Sequence, residues 1–194
     1  MNLPNKITLS RILMIPLIVF FYLADFVPYG KVIALVIYIL SAVTDFLDGY
    51  IARKYNLITN LGKFMDPIAD KMLTISVLIL VICDGTVPMP YGAIAAIIIL
   101  AREFIVSALR QIASTKNIVI AADMWGKVKT NFQLVSFGAL MLLSFLTKNT
   151  NYNGTGIEIF SIINWVLLGC TVLLTVISGI NYLIKNRKVF GDEK

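Results

Sequence analysis

Four aspartates, Asp45, Asp48, Asp66 and Asp70, stand inside long apolar runs, and no other feature limits the fold of this chain as tightly. A carboxylate at membrane depth is costly and persists where it faces a cavity, a partner or an ion. The spacing supplies a reason for these four. Asp45, Asp48, Gly49 and Ala52 follow at i, i+3, i+4 and i+7, one face of a helix. Asp66 and Asp70, at i and i+4, share a face of the next helix. Residues 55–60 turn between them, and an antiparallel hairpin folded there sets Asp45 level with Asp70 and Asp48 level with Asp66. Four carboxylates in one small volume repel unless a cation lies among them. All these donors are oxygens and the chain has no His, so a hard ion such as Mg²⁺, Mn²⁺ or Ca²⁺ fits better than a structural zinc.

Composition decides what surrounds the aspartates. The chain has 194 residues, 58% of them apolar, and a mean hydropathy of +0.84. These values describe an all-α integral membrane protein, read as one domain over residues 1–194, and leave no soluble segment for a nucleic-acid patch. Hydropathy and turn residues predict six transmembrane helices, over 10–26, 32–53, 63–83, 91–111, 124–146 and 157–184, after a short N-terminal interfacial segment. The basic start and the apolar run 12–24 also have the outline of a signal peptide. No small-residue cleavage site follows, so a retained first span bent at Pro16 is expected. Six spans put both termini on one side, with the 54–62 hairpin loop and the 112–123 connection. All but two of the 17 Lys and Arg, Lys31 and Lys148, fall on that side, which predicts that it is cytoplasmic. The aspartates then lie within two to three helical turns of the cytoplasmic surface, in a water-filled cavity. Cys83 and Cys170, both in apolar runs, read as buried free thiols.

The aspartate stretch resembles the signature of the CDP-alcohol phosphatidyltransferases, D-x-x-D-G-x-x-A-R, eight residues, then G-x-x-x-D-x-x-x-D. Every fixed position is present: Asp45, Asp48, Gly49, Ala52, Arg53, Gly62, Asp66 and Asp70. The resemblance implies that Asp45, Asp48 and Asp66 ligate divalent metal, Mg²⁺ or Mn²⁺ and two ions, and that Asp70 is both a ligand and the general base. It implies that Arg53 binds phosphate or cytidine, that Thr59 and Gly62 contact the cytidine, and that Thr8 and Arg11 line the CDP-diacylglycerol site. Gly49 and Ala52 give room for the nucleotide, and equally for close helix packing. The implied reaction moves a phosphatidyl group from CDP-diacylglycerol to a small alcohol and releases CMP, in the bacterial plasma membrane. A homodimer is implied on the same ground.

The acceptor is read from cations. Arg102 and Arg110 lie on one side of the fourth span, and Lys127 opens the fifth. Together they suit a phosphorylated acceptor, sn-glycerol 3-phosphate first, with inositol phosphate, serine or an amino alcohol as alternatives. Glu103 is expected to pair with Lys71 or with a second subunit, and the tyrosines to sit in the interfacial belt or face lipid. A divalent-cation transporter is the reading from another class, since intramembrane carboxylates also mark ion paths. It lacks an acidic relay in the other half of the bundle, where Asp25, Asp84 and Glu158 sit at loop ends.

Overall fold

A computed structural model describes residues 3–54, 60–115, 124–149 and 154–187, with the backbone alone for 3–6, 46, 48–53, 60–64, 115 and 149. The described residues form six α-helices and no strand: α1 (Leu3–Leu23), α2 (Gly30–Lys54), α3 (Asn60–Cys83), α4 (Tyr91–Thr115), α5 (Met124–Asn149) and α6 (Thr155–Lys185). The expected interfacial segment is not a separate element. α1 runs unbroken from Leu3 and carries Pro16 inside it.

The pattern of burial is that of a membrane protein. Large apolar side chains face outward, among them Leu13, Phe20, Ile97, Ile162 and Val166. Polar ones turn inward: Ser41, Gln133, Ser136, Asn164, Thr171 and Thr175 are all buried. In water this arrangement would expose the apolar faces; in lipid the outward faces meet hydrocarbon, and small polar residues let the helices approach closely. α4, α5 and α6 are each long and apolar enough to cross a bilayer, while the apolar part of α1 is Ile7–Leu23. α2 and α3 carry the aspartates within their length. The same inversion corrects the reading of the cysteines. Cys83 is exposed and Cys170 half-buried, because an apolar run in such a chain supplies lipid-facing residues as well as core.

Packing runs in a ring, α1–α2–α5–α6–α4–α3 and back to α1, with α3 also touching α5 across it. The apolar core lies under α1, α3 and α5, around Ile18, Tyr22, Val77, Val81, Phe137 and Met141. Among the described residues α1 packs against both α2 and α3 and takes most of the contact that the hairpin would make directly. The turn at Gly30 makes the α1–α2 approach possible, since a Cβ there would lie 2.5 Å from the Phe21 carbonyl oxygen. As a result the N-terminal turns of α1 reach between the two aspartate-bearing helices.

At the far end of α3 the chain turns through residues 84–90, where the Asp84 carboxylate accepts the backbone N–H of Thr86 at 2.8 Å. Asp84 also accepts from the Tyr22 hydroxyl at 2.6 Å, from Lys31 Nζ at 3.3 Å and from the Ser144 hydroxyl. Lys31 donates to Ser144 as well, at 2.7 Å, and Lys148 donates to the Asp84 carbonyl. α1, α2, α3 and α5 are thus tied at one point. Burial pushes the Asp84 carboxyl up, but the hydrogen bonds from Ser144, Thr86 and Tyr22 outweigh it and hold the group at about 2.

Candidate active site

At the opposite end of α3 the helices open into a cavity of about 540 Å³. Asp45 from α2 and Asp66 and Asp70 from α3 line it, facing Arg102, Arg110 and Lys127 from α4 and α5. The helical spacings account for this. Asp66 and Asp70 are one turn apart on α3, and Arg102 and Arg110 are two turns apart on α4.

α1 holds the carboxylates from beneath. Thr8, buried, donates its hydroxyl to Asp66 Oδ1 at 2.7 Å. Arg11, whose side chain is 3% exposed, pairs with Asp45 and reaches Asp66 Oδ1 at 3.6 Å. Asp45 and Asp66 themselves are half exposed, at 51% and 50%, and so keep oxygen lone pairs open to the cavity. A guanidinium placed this way offsets part of the repulsion between two carboxylates while leaving them accessible.

α6 holds the arginines. Arg102 Nη2 donates to the Ser178 hydroxyl at 2.5 Å, and Arg110 Nε donates to the Tyr182 hydroxyl at 3.2 Å. Ser178 and Tyr182 are one turn apart on the buried stripe of that helix. Gly179 lies between them, and a Cβ there would come within 3.1 Å of Arg102 Cγ. The missing side chain leaves room for the arginine stem.

Within the chain Glu103 pairs with Lys129 rather than with the expected Lys71. It accepts from Lys129 Nζ, and Arg102 Nη1 lies 3.6 Å from the same oxygen. Neighbouring positions on one helix do point apart, but long side chains can bend, so Arg102 and, from the next helix, Lys129 share one Glu103 carboxylate oxygen. Lys71 instead lies over the Phe104 ring, 5.3 Å from its centroid. Three tyrosines also depart from the belt reading, while Tyr29 and Tyr91 are exposed as it expects. Tyr22, Tyr38 and Tyr182 are buried, and each hydroxyl has a partner: Asp84, the Leu134 carbonyl and Arg110. Gln133 and Ser178 carry no role in the sequence reading, and the buried contacts of Lys129 and Tyr182 are not visible in it. The signal was present in α5, where Gly126, Lys129, Gln133 and Ser136 run at helical spacing through apolar sequence.

Thr8, Arg11, Asp45, Asp66, Asp70, Arg102, Arg110 and Lys127 therefore stand in or around one cavity. The side chains of Asp48, Gly49, Ala52 and Arg53, and the whole of Thr59 and the side-chain position of Gly62, lie outside the described residues. Among the described residues no three carboxylates close around a single point. The donor set fits a hard divalent cation nonetheless: three carboxylates with exposed oxygens share one cavity, and the fourth, Asp48, lies one turn from Asp45 on α2.

The profile of the CDP-alcohol phosphatidyltransferases matches residues 1–177. The chain belongs to that family. A protein of Bacillus subtilis (strain 168) named CDP-diacylglycerol–glycerol-3-phosphate 3-phosphatidyltransferase is 37% identical over 196 residues, covering 95% of each chain. Proteins of the same name from Rickettsia felis and Haemophilus influenzae are each 37% identical, the first covering 97% of each chain, the second 94% of this chain and 91% of its own. In this family member three of the signature aspartates, Asp45, Asp66 and Asp70, thus line one cavity with a set of cations, with α1 bracing the carboxylates and α6 the arginines.

Proposed function

We propose that the protein transfers the phosphatidyl group of CDP-diacylglycerol to sn-glycerol 3-phosphate, forming phosphatidylglycerophosphate and CMP. The observation that carries this reading is one cavity lined both by the carboxylates Asp45, Asp66 and Asp70 and by the cations Arg102, Arg110 and Lys127. The carboxylates would hold a divalent cation and with it a pyrophosphate, and the cations suit a phosphorylated alcohol. The names and full-length coverage of the bacterial relatives support the acceptor.

Asp45, Asp48, Asp66 and Asp70 would hold Mg²⁺ or Mn²⁺, two ions by the family resemblance. Such ions, when bound, neutralise the pyrophosphate and the charge that develops on it. The chain's own residues do the rest. Asp70 accepts the proton of the acceptor hydroxyl. The freed oxygen forms a bond to the β-phosphorus, the bond from that phosphorus to the bridging oxygen breaks, and CMP leaves with the bridging oxygen. Arg102, Arg110 and Lys127 hold the acceptor phosphate and so aim its hydroxyl; a guanidinium does this with a planar pair of donors. Thr8 and Arg11 keep Asp66 and Asp45 in place. Arg53, Thr59 and Gly62 complete the nucleotide side, with Gly49 and Ala52 leaving space.

The side bearing the termini and the cavity faces the cytoplasm of a bacterial plasma membrane, where CDP-diacylglycerol can present its head group while its acyl chains stay in lipid. Lys31 and Lys148, the two cations on the other side, are both engaged with Asp84 and so weaken the positive-inside asymmetry little. The working unit is residues 1–194 as one domain, in a homodimer.

The test is direct. Purified protein with CDP-diacylglycerol and Mg²⁺ or Mn²⁺ is given sn-glycerol 3-phosphate, inositol phosphate, serine and an amino alcohol in turn. CMP release with glycerol phosphate alone is the expected result. Release with another acceptor and none with glycerol phosphate would replace the acceptor and keep the chemistry.

A further inference from the structure

Behind Asp70 lies a second, much smaller cavity, of about 30 Å³. Asp70, Glu103 and Thr130 line both it and the large cavity. Its far wall is made by Lys129 and Gln133 of α5, and Tyr38 closes it against α2. The size admits one hydroxyl or one water and excludes a phosphate.

The wall chemistry is specific. Gln133 is 5% exposed, and its Oε1 is buried without a hydrogen-bond partner among the described residues. A buried amide oxygen left unpaired is expensive, so this atom waits for a donor. Lys129, 1% exposed, gives one ammonium proton to Glu103 and lines the same space. An O–H group seated there donates to Gln133 Oε1 and accepts from Lys129 Nζ, which satisfies both of its roles. Tyr38 does not compete, because its hydroxyl donates to the Leu134 carbonyl at 3.2 Å.

We infer that this cavity is the subsite for a second hydroxyl of the acceptor, and that Gln133 is the residue that selects an acceptor carrying one. The inference rests on the functional reading above. With the attacking oxygen at Asp70 and the phosphate at Arg102, Arg110 and Lys127, the hydroxyl on the carbon next to the attacking one is the group placed to enter. A site built to accept from a substrate hydroxyl rejects an analogue that lacks it, since the buried oxygen is then left unpaired.

The experiment compares two acceptors, sn-glycerol 3-phosphate and propane-1,3-diol phosphate, which lacks the secondary hydroxyl. Wild-type protein should favour the first by about 10- to 100-fold in kcat/KM. Gln133→Met, similar in size and without a strong acceptor, should bring the two within about threefold. Gln133→Glu keeps an oxygen acceptor and should keep the preference; it carries the test if the methionine variant does not fold. Each ratio is taken within one preparation, so a partly folded sample does not distort it. A wild-type enzyme indifferent to the missing hydroxyl overturns the inference and leaves the functional reading intact. So does a Gln133→Met variant slowed equally with both acceptors, the result expected if the cavity holds only water. No transfer by wild-type protein to glycerol phosphate would overturn the functional reading, and this inference with it.

Discussion

At one end of α3, Asp84 is 8% exposed and shares its oxygens among Tyr22, Lys31, Ser144 and Thr86. At the other end, Asp45 and Asp66 are half exposed and, among the described residues, are held by Thr8 and Arg11 of α1. Both ends place carboxylates beside cations inside an apolar bundle. The first has its hydrogen-bonding capacity consumed by its own fold, and four helices depend on it. The second keeps half-exposed carboxylates in a cavity that a second set of cations also lines. A charged cluster that satisfies itself stabilises; one that is incomplete within the chain is arranged for something the chain does not supply. The Asp84 cluster also counts against an ion path, because that acid is already engaged by Tyr22, Lys31, Ser144 and Thr86.

The largest effect expected from breaking this contrast is at Asp84. Asp84→Leu leaves the Lys31 ammonium buried and unpaired, and should cost about 3–5 kcal/mol of stability in a denaturant titration of the detergent-solubilised protein. Removing both charges, Asp84→Leu with Lys31→Met, should recover much of that. A double variant as unstable as the single one would show that hydrogen bonding, not the ion pair, dominates. At the cavity end, Arg110→Ala should raise KM for glycerol phosphate by about ten- to a hundredfold, the loss of a charge-assisted bond, with a smaller change in KM for CDP-diacylglycerol. An unchanged acceptor KM would leave Arg110 as no more than a partner of Tyr182.

Gly179→Ala sharpens the comparison more gently. The added Cβ presses on the Arg102 stem at 3.1 Å. A rotamer displaced by that much costs about 0.5–1.5 kcal/mol, so the acceptor KM should rise roughly two- to tenfold with the fold intact. The smallest expected effect is a pH dependence. Asp84 lies at about 2 in the folded protein, below its ordinary value near 3.9. Its contribution is therefore complete above about pH 4 and is lost as pH falls toward 2. A melting series over that range should show the loss in wild type and a reduced slope in Asp84→Asn.

Much of this was legible in the sequence, and for one reason. Helical periodicity fixes which residues share a face, so it puts Asp66 with Asp70 and Arg102 with Arg110. Turn residues fixed the helix boundaries closely, as at Asp84 and Gly85 after α3. What periodicity cannot give is the neighbour of each face. The hairpin reading set α2 directly against α3, whereas α1 packs against both. Thr8 and Arg11 were named through the family resemblance, but their contacts with Asp66 and Asp45 came only with the fold. Glu103 and Lys129, on α4 and α5, could be paired only once those helices were placed. The exposure of Cys83 and the burial of Tyr22, Tyr38 and Tyr182 escape the sequence reading for a related reason: in lipid, an apolar run does not say which of its faces is inside.

The central claim is that the Asp70 end does chemistry and the Asp84 end holds the fold. Asp70→Asn and Asp84→Asn, purified together, give the sharpest test: maximal rate of CMP release against Mg²⁺ or Mn²⁺ concentration, and midpoint of denaturant unfolding, for both. Asp70→Asn should lose about 10²- to 10⁴-fold in rate, as for removal of a general base, with no recovery at high metal and little change in midpoint. Asp84→Asn should show the reverse, a lower midpoint with a near-normal rate per folded molecule. A wild-type maximal rate for Asp70→Asn at high metal would contradict the account, leaving Asp70 as a metal ligand and no more.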